Sequence, residues 1–397
     1  MTQKKKPYLK LANPPEPEEI KKKARKRRLE KLRKIVVVIG LLVLAAVGTY
    51  LLLKNKSYGT ARTAAEYTQE TSDSNHYAGF SKGIIRYNKD GVVYLNYKNE
   101  EQWIQPAQVQ NPSIEMSEDA FAVADIGGNT ILVFTDQGLK GEIQTNLPIE
   151  QITVSNQGIV GALLKNENTP MIMAYDATGN ILVEHQVTAG NSGYPTALEI
   201  SGDGTLLAVS YLSVSGTGLK SSVVYYNFSE TGKSKVDNEV SREEYADSVV
   251  ADIFFMGGER SVAVGDHSFV LYEGSDVPKK LKEVEINQEI KSVFHTDKYI
   301  GFVLLNNEKS GYEVRLYDRS GKQTMNRAIS GEYSNVSMED DEIILFEGSG
   351  CCILTDTGIL KFQGDLKTEA LEITRARGLN RYYVMSANGL RVIYLTK

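Results

Sequence analysis

Eight times in the chain an apolar run passes through an Asp, Asn or other polar residue to a glycine and then re-enters an apolar run. The glycines are Gly91, Gly138, Gly179, Gly232, Gly274, Gly321, Gly358 and Gly389, at intervals of 47, 41, 53, 42, 47, 37 and 31 residues. Glycine supplies the positive φ of a tight hairpin, and Asp or Asn caps the turn through its carboxylate or amide oxygen. Upstream of most of these turns lies a second recurring piece (SIEMSEDAFAVA, QITVSNQGIVGAL, ALEISGDGTLLAVS, DIFFMGGERSVAV, NVSMEDDEIILF), which reads as strand, turn, strand. From residue 80 onward no long stretch has a 3.6-residue period, so the body is all-β. A unit of roughly 45 residues with four strands is the signature of a β-propeller blade. The 318 residues from 80 to 397 divide into seven such units, with eight as the alternative. Six full blades start near residues 113, 151, 197, 251, 290 and 334. The last blade is expected to join strands from 370–397 to strands from 80–108 and so close the ring.

Two of the turns carry a resemblance. Ala174-Tyr175-Asp176-Ala177-Thr178-Gly179 resembles the Asp-to-Gly turn of PQQ-type repeats. Ser201-Gly202-Asp203-Gly204 with Leu207-Ala208-Val209 is similar to the strand pair of TolB-type repeats. The whole chain resembles uncharacterised single-pass membrane proteins of Gram-positive bacteria with PQQ-like propellers. That resemblance implies a propeller outside the membrane and names no substrate. Trp103 is the only tryptophan, so the Trp that closes most quinoprotein repeats is missing. No WD dipeptide occurs, which sets the WD40 repeat aside.

Residues 35–53, IVVVIGLLVLAAVGTYLLL, carry no charge, and thirteen of the nineteen are Leu, Ile or Val. A helix of that length rises about 28 Å, close to the thickness of a hydrocarbon core. The run exceeds the apolar core of a cleaved signal peptide. The helix should start at Pro17, with Glu18 and Glu19 in the first turn. Residues 1–34 hold fourteen Lys and Arg against four Glu, leaving 31 basic and 46 acidic residues for the rest. Because the basic cluster (Lys21, Lys22, Lys23, Arg25, Lys26, Arg27, Arg28, Lys31, Arg33, Lys34) abuts the apolar run, the positive-inside rule places the N-terminus in the cytoplasm and the body outside the plasma membrane. The expected organisation is a basic cytoplasmic tail over 1–34, a transmembrane helix over 35–53, a polar stalk over 54–79 and the propeller over 80–397. The tail would rest on anionic lipid headgroups, and residues 1–15 read as disordered. No aromatic residues interleave its charges, which argues against nucleic acid.

No residue type and spacing points to catalysis, a cofactor or a metal. His76, His185, His267 and His295 are scattered, with no ligand spacing between them. The run Glu339-Asp340-Asp341-Glu342 reads as a solvated turn. Cys351-Cys352 follows Gly348-Ser349-Gly350 and reads as a hairpin on a rim, with one thiol packed and one exposed. The stretches Ser213–Ser222 and Glu230–Tyr245 break the repeat and are the candidate partner-contact edge. The sequence thus favours a non-enzymatic binding or scaffold module for envelope proteins or cell-wall components. A transmembrane sensor and a hydrolytic or quinone-linked enzyme are the alternatives.

Overall fold

The computed structural model describes residues 17–68, 74–166, 169–187, 193–215, 218–306 and 311–397. It comprises two units, Met1–Lys56 and Ser57–Lys397. In the first, one uninterrupted helix, Pro17–Lys54, starts at the expected proline and continues through the apolar run. Its segment Arg28–Lys54 is long and apolar enough to cross a membrane, and its Leu, Ile and Val side chains are exposed all round. The disorder expected for residues 1–15 falls outside the described residues.

In the second unit the described residues form eight four-stranded antiparallel sheets. Seven are built from consecutive strands, over residues 76–106, 112–144, 149–186, 194–246, 250–285, 290–329 and 335–365. The eighth combines Glu372–Arg375, Arg381–Ser386 and Gly389–Thr396 with the strand Thr60–Thr68. The ring therefore has eight blades, not seven. The six expected blade starts all survive. Residues 80–108 do not complete the last blade, because with His76–Phe80 as innermost strand they make a blade of their own.

The stretch expected as a stalk is also corrected. Thr60–Thr68 pairs antiparallel with Gly389–Thr396, from Thr60↔Thr396 to Thr68↔Gly389. The strand is half-exposed and polar, TARTAAEYT, because an outermost strand packs against a neighbour on one side only. A search for apolar runs is blind to it. The chain enters the ring just before this strand. Ser57 Oγ donates to the Leu360 carbonyl at 2.7 Å, Tyr58 N–H to Lys361 O at 2.8 Å, and Gly59 N–H to Thr396 O at 2.9 Å.

Eight hydrophobic clusters fill the eight spaces between neighbouring blades. Examples are Ile131, Val133, Val154 and Leu164 between blades two and three, and Phe254, Phe269 and Phe302 between five and six. Tyr77, Ile84, Val93, Leu95, Met385 and Leu390 fill the space between blades eight and one, which closes the circle. Each buried Ile, Leu, Val or Phe contributes about 1.5–3 kcal/mol, so the stability of the ring resides between its sheets. Trp103 serves the same end. It stacks in a row with Tyr94, Phe121 and Phe134 across blades one and two, and its indole N–H donates to Asp136 O at 3.1 Å.

The turns behave as their residues require. The Asp176 carboxylate accepts from Thr178 N–H at 2.8 Å, Thr178 Oγ1 at 2.7 Å and Asn180 N–H at 3.0 Å, and Gly179 has φ +91°. Asp318 repeats the pattern with Ser320, Lys322 and Gly321. Strand direction alternates within each blade. Turns from first to second and third to fourth strands therefore share one face, the turn face. Turns from second to third strands and the blade-to-blade connections share the other, the connection face. The chain enters on the turn face.

Candidate functional site

The structure disperses most of the residues singled out in the sequence. Among the described residues no group of His, Cys, Asp and Glu could hold a metal. His76 stacks on Tyr87, His185 leans on Tyr226, and His295 lies flat on Phe254 at 3.9 Å between ring centroids. His267 Nδ1 is 3.2 Å from Asp266.

Cys351 and Cys352 are not on a rim hairpin. They lie inside the strand Gly350–Thr355 of blade seven, both buried and free. Strand alternation sends Cys351 into the core shared with blade eight and Cys352 into the core shared with blade six. Two neighbours on a strand point to opposite faces, so the pair cannot act together on one ligand. Burial pushes both thiols up, Cys352 to about 12. Because the thiolate is the reactive form, neither cysteine should react with a soluble maleimide at pH 7.5 until the ring is unfolded in urea. Rapid labelling of folded protein would contradict this packing.

The acidic run makes the expected turn, between Asn335–Glu339 and Glu342–Glu347 with Asp340 exposed at its tip, but its last residue is not solvated. Glu342 is fully buried, as is Lys361, and the two form an ion pair. Tyr382 Oη donates to Glu342 Oε2 at 2.6 Å. Arg375, on the innermost strand of blade eight, reaches Asp341 at 2.7 Å and Asp340 at 3.2 Å. Its backbone N–H donates to Glu339 at 2.6 Å. The run is thus a clamp between blades seven and eight, and Arg375 fills the place a cation would take.

The irregular segments of blade four separate. Ser213–Ser222 continues the hairpin of Leu206–Ser215 and Gly218–Asn227, paired as far as Ser215↔Gly218, and projects from the connection face. Val214 is 76% and Leu219 44% exposed there. The second segment holds a one-turn helix, Glu230–Lys233, and leads into the outermost strand Glu239–Ala246. It starts on the turn face, so the two segments do not form one edge.

What sequence reading missed is the lining of the ring's centre. Carboxylates on the innermost strands include Glu115, Glu199, Asp252, Glu339 and Glu372. Several bridge adjacent blades. Thr153 Oγ1 donates to Glu199 Oε2 at 2.8 Å, and Glu372 accepts the Gly79 N–H of blade one. Glu115 and Asp252 stay accessible to water although protein surrounds them on most sides, as in a narrow lumen. Burial, reinforced by neighbouring carboxylates, raises Glu115 to about 7 and both Glu199 and Glu372 to about 8. Burial also raises Asp252 and Glu339, the latter opposed by Arg375.

A carboxyl whose folded pKa is raised stays protonated where the unfolded chain has lost its proton. From about pH 4.5 to 8 the native state therefore binds more protons, and stability falls as pH rises. Urea midpoints should drop between pH 5 and pH 8.5, and the variant carrying Glu199→Gln and Glu372→Gln should flatten that slope. A midpoint that climbs over this window would refute the arrangement.

The residue 54–395 segment matches a family of unknown function, DUF5711, and the chain belongs to that family. No curated protein sequence matches it. Among solved structures, BamB from Moraxella catarrhalis is similar at 11% identity, covering 85% of this chain and 99% of that one, with a TM-score of 0.49. Sqt1 from Saccharomyces cerevisiae is similar at 11% identity, with coverages of 86% and 99% and a TM-score of 0.49. The Pan2 WD40 domain from Neurospora crassa is similar at 8% identity, with coverages of 72% and 90% and a TM-score of 0.42.

Proposed function

We propose that this member of the DUF5711 family is a membrane-anchored, extracytoplasmic propeller that acts as a non-enzymatic binding or scaffold module for envelope proteins or cell-wall components. The apolar part of Pro17–Lys54 spans the plasma membrane, and the basic residues before it rest on anionic headgroups at the cytoplasmic side. The observation that carries the binding role is the break in repeat regularity at blade four. There a paired hairpin extends from the connection face and exposes Val214 and Leu219. Exposed apolar side chains on a projecting strand pair suit partner contact.

Crosslinking of the full-length protein in intact cells, followed by affinity capture, tests this reading. A reproducible envelope partner should be recovered, and Val214→Asp with Leu219→Asp should abolish its capture while the variant still accumulates in the membrane. Capture unchanged by the double variant would move the contact elsewhere. The absence of any specific partner would remove the scaffold role. Labelling of a surface cysteine placed at Val236 by an impermeant reagent on intact cells tests the topology, because a cytoplasmic body would stay unlabelled.

A further inference from the structure

The connection face also carries a cleft of about 490 Å³ between blades six and seven. Its walls are Lys291, Tyr312, Glu332, Tyr333, Ser334 and Glu347, and its floor includes the buried Val303. The polar groups are held in place by neighbours. Tyr312 Oη donates to Glu332 at 3.1 Å, Ser334 N–H to Glu347 at 3.3 Å, Gln363 to Tyr333 Oη at 3.3 Å and Lys291 to Glu289 at 2.6 Å.

The lining narrows the chemistry of an occupant. Its volume suits a small ligand or a short segment of a polymer. None of these residues lies on an outermost strand, so an extended peptide finds no free edge to add to. Two carboxylates face one ammonium that Glu289 already engages, which opposes phosphate and other anions. The charged groups of Lys291, Glu332 and Glu347 in the lining oppose an acyl chain. What fits is a ring with apolar C–H faces for the tyrosines, hydroxyls for the carboxylates and a positive charge.

We infer that the cleft between blades six and seven binds an amine-bearing saccharide, a glucosamine-type unit of a glycan chain. Glu332 and Glu347 take the ammonium and hydroxyl groups, and Tyr312 and Tyr333 flank the ring. The inference rests on the binding-module reading and names a ligand class for it.

The test is calorimetric titration of the full-length protein in detergent with the β-1,4 trimer of glucosamine, the trimer of N-acetylglucosamine and maltotriose. The glucosamine trimer should bind saturably and at least about tenfold more tightly than the other two. Glu332→Gln and Glu347→Gln should each weaken it about tenfold with unchanged thermal unfolding. No saturable binding of the glucosamine trimer overturns the inference. So does equal binding of all three sugars, or binding indifferent to both substitutions. Loss of sugar binding alongside a persistent crosslinked protein partner would sink the saccharide site and leave the module reading intact. Failure of the crosslinking with intact sugar binding would do the reverse.

Discussion

A body begun at Phe80 is expected not to fold, whereas one begun at Ser57 folds and unfolds cooperatively. Truncation at Phe80 removes the outermost strand of blade eight and leaves Gly389–Thr396 with a bare edge. It also removes His76–Gly79 from the innermost strand of blade one, including Tyr77 and Ala78. The smallest of the inter-blade clusters, between blades eight and one, loses its Tyr77. The Gly79 N–H bound by Glu372 goes with it. The ring would open at its thinnest seam and expose two unpaired strands, which is a template for aggregation. Circular dichroism and urea unfolding of the two bodies check this. Equal midpoints and equal m-values would show that the closing strand is dispensable.

The second large effect is expected at the buried clamp. Lys361→Ala should cost about 3–5 kcal/mol, because it leaves the Glu342 carboxylate inside the protein without its counter-ion. Both side chains are fully buried, and Tyr382 and Arg375 supply only a hydrogen bond at 2.6 Å and a charge at 3.6 Å. Glu342→Leu combined with Lys361→Met should recover most of that loss, since removing both charges also removes the cost of desolvating them. Urea midpoints at pH 7 for Glu342→Leu, Lys361→Met and the double variant form the cycle. A double variant as unstable as the sum of the singles would mean that the pair is not coupled.

The blades were legible in the sequence because their devices are local. The Asp176-to-Gly179 and Asp318-to-Gly321 turns need a capping oxygen and a positive φ within five residues. The apolar runs around them are the strands that face neighbours on both sides. Six blade starts followed from that alone. The single helix from Pro17 followed from a first-turn proline and an unbroken run. The resemblance to propeller repeats reached the same fold.

The ends of the ring were not legible. Thr60–Thr68 has no apolar run, and only its pairing with the far end of the chain makes it a strand. Counting apolar runs therefore gave seven blades and turned the closing strand into a stalk. The placing of the cysteines and the burial of Glu342 were hidden for a related reason. Adjacency in sequence became opposition across a strand for Cys351 and Cys352. At Glu342 a partner nineteen residues away, Lys361, drew a charge inside.

What the sequence determined by itself is the repeat, its turn chemistry and the division into a basic-apolar helix and an acidic body, since each depends on neighbours within a few residues. The tertiary structure alone decided the blade number, the closing partner, and the approach of Glu115 and Asp252 to Glu199 and of Glu339 to Glu372. These depend on contacts between residues tens to hundreds of positions apart, and closing the ring brings such residues together whatever separates them in sequence.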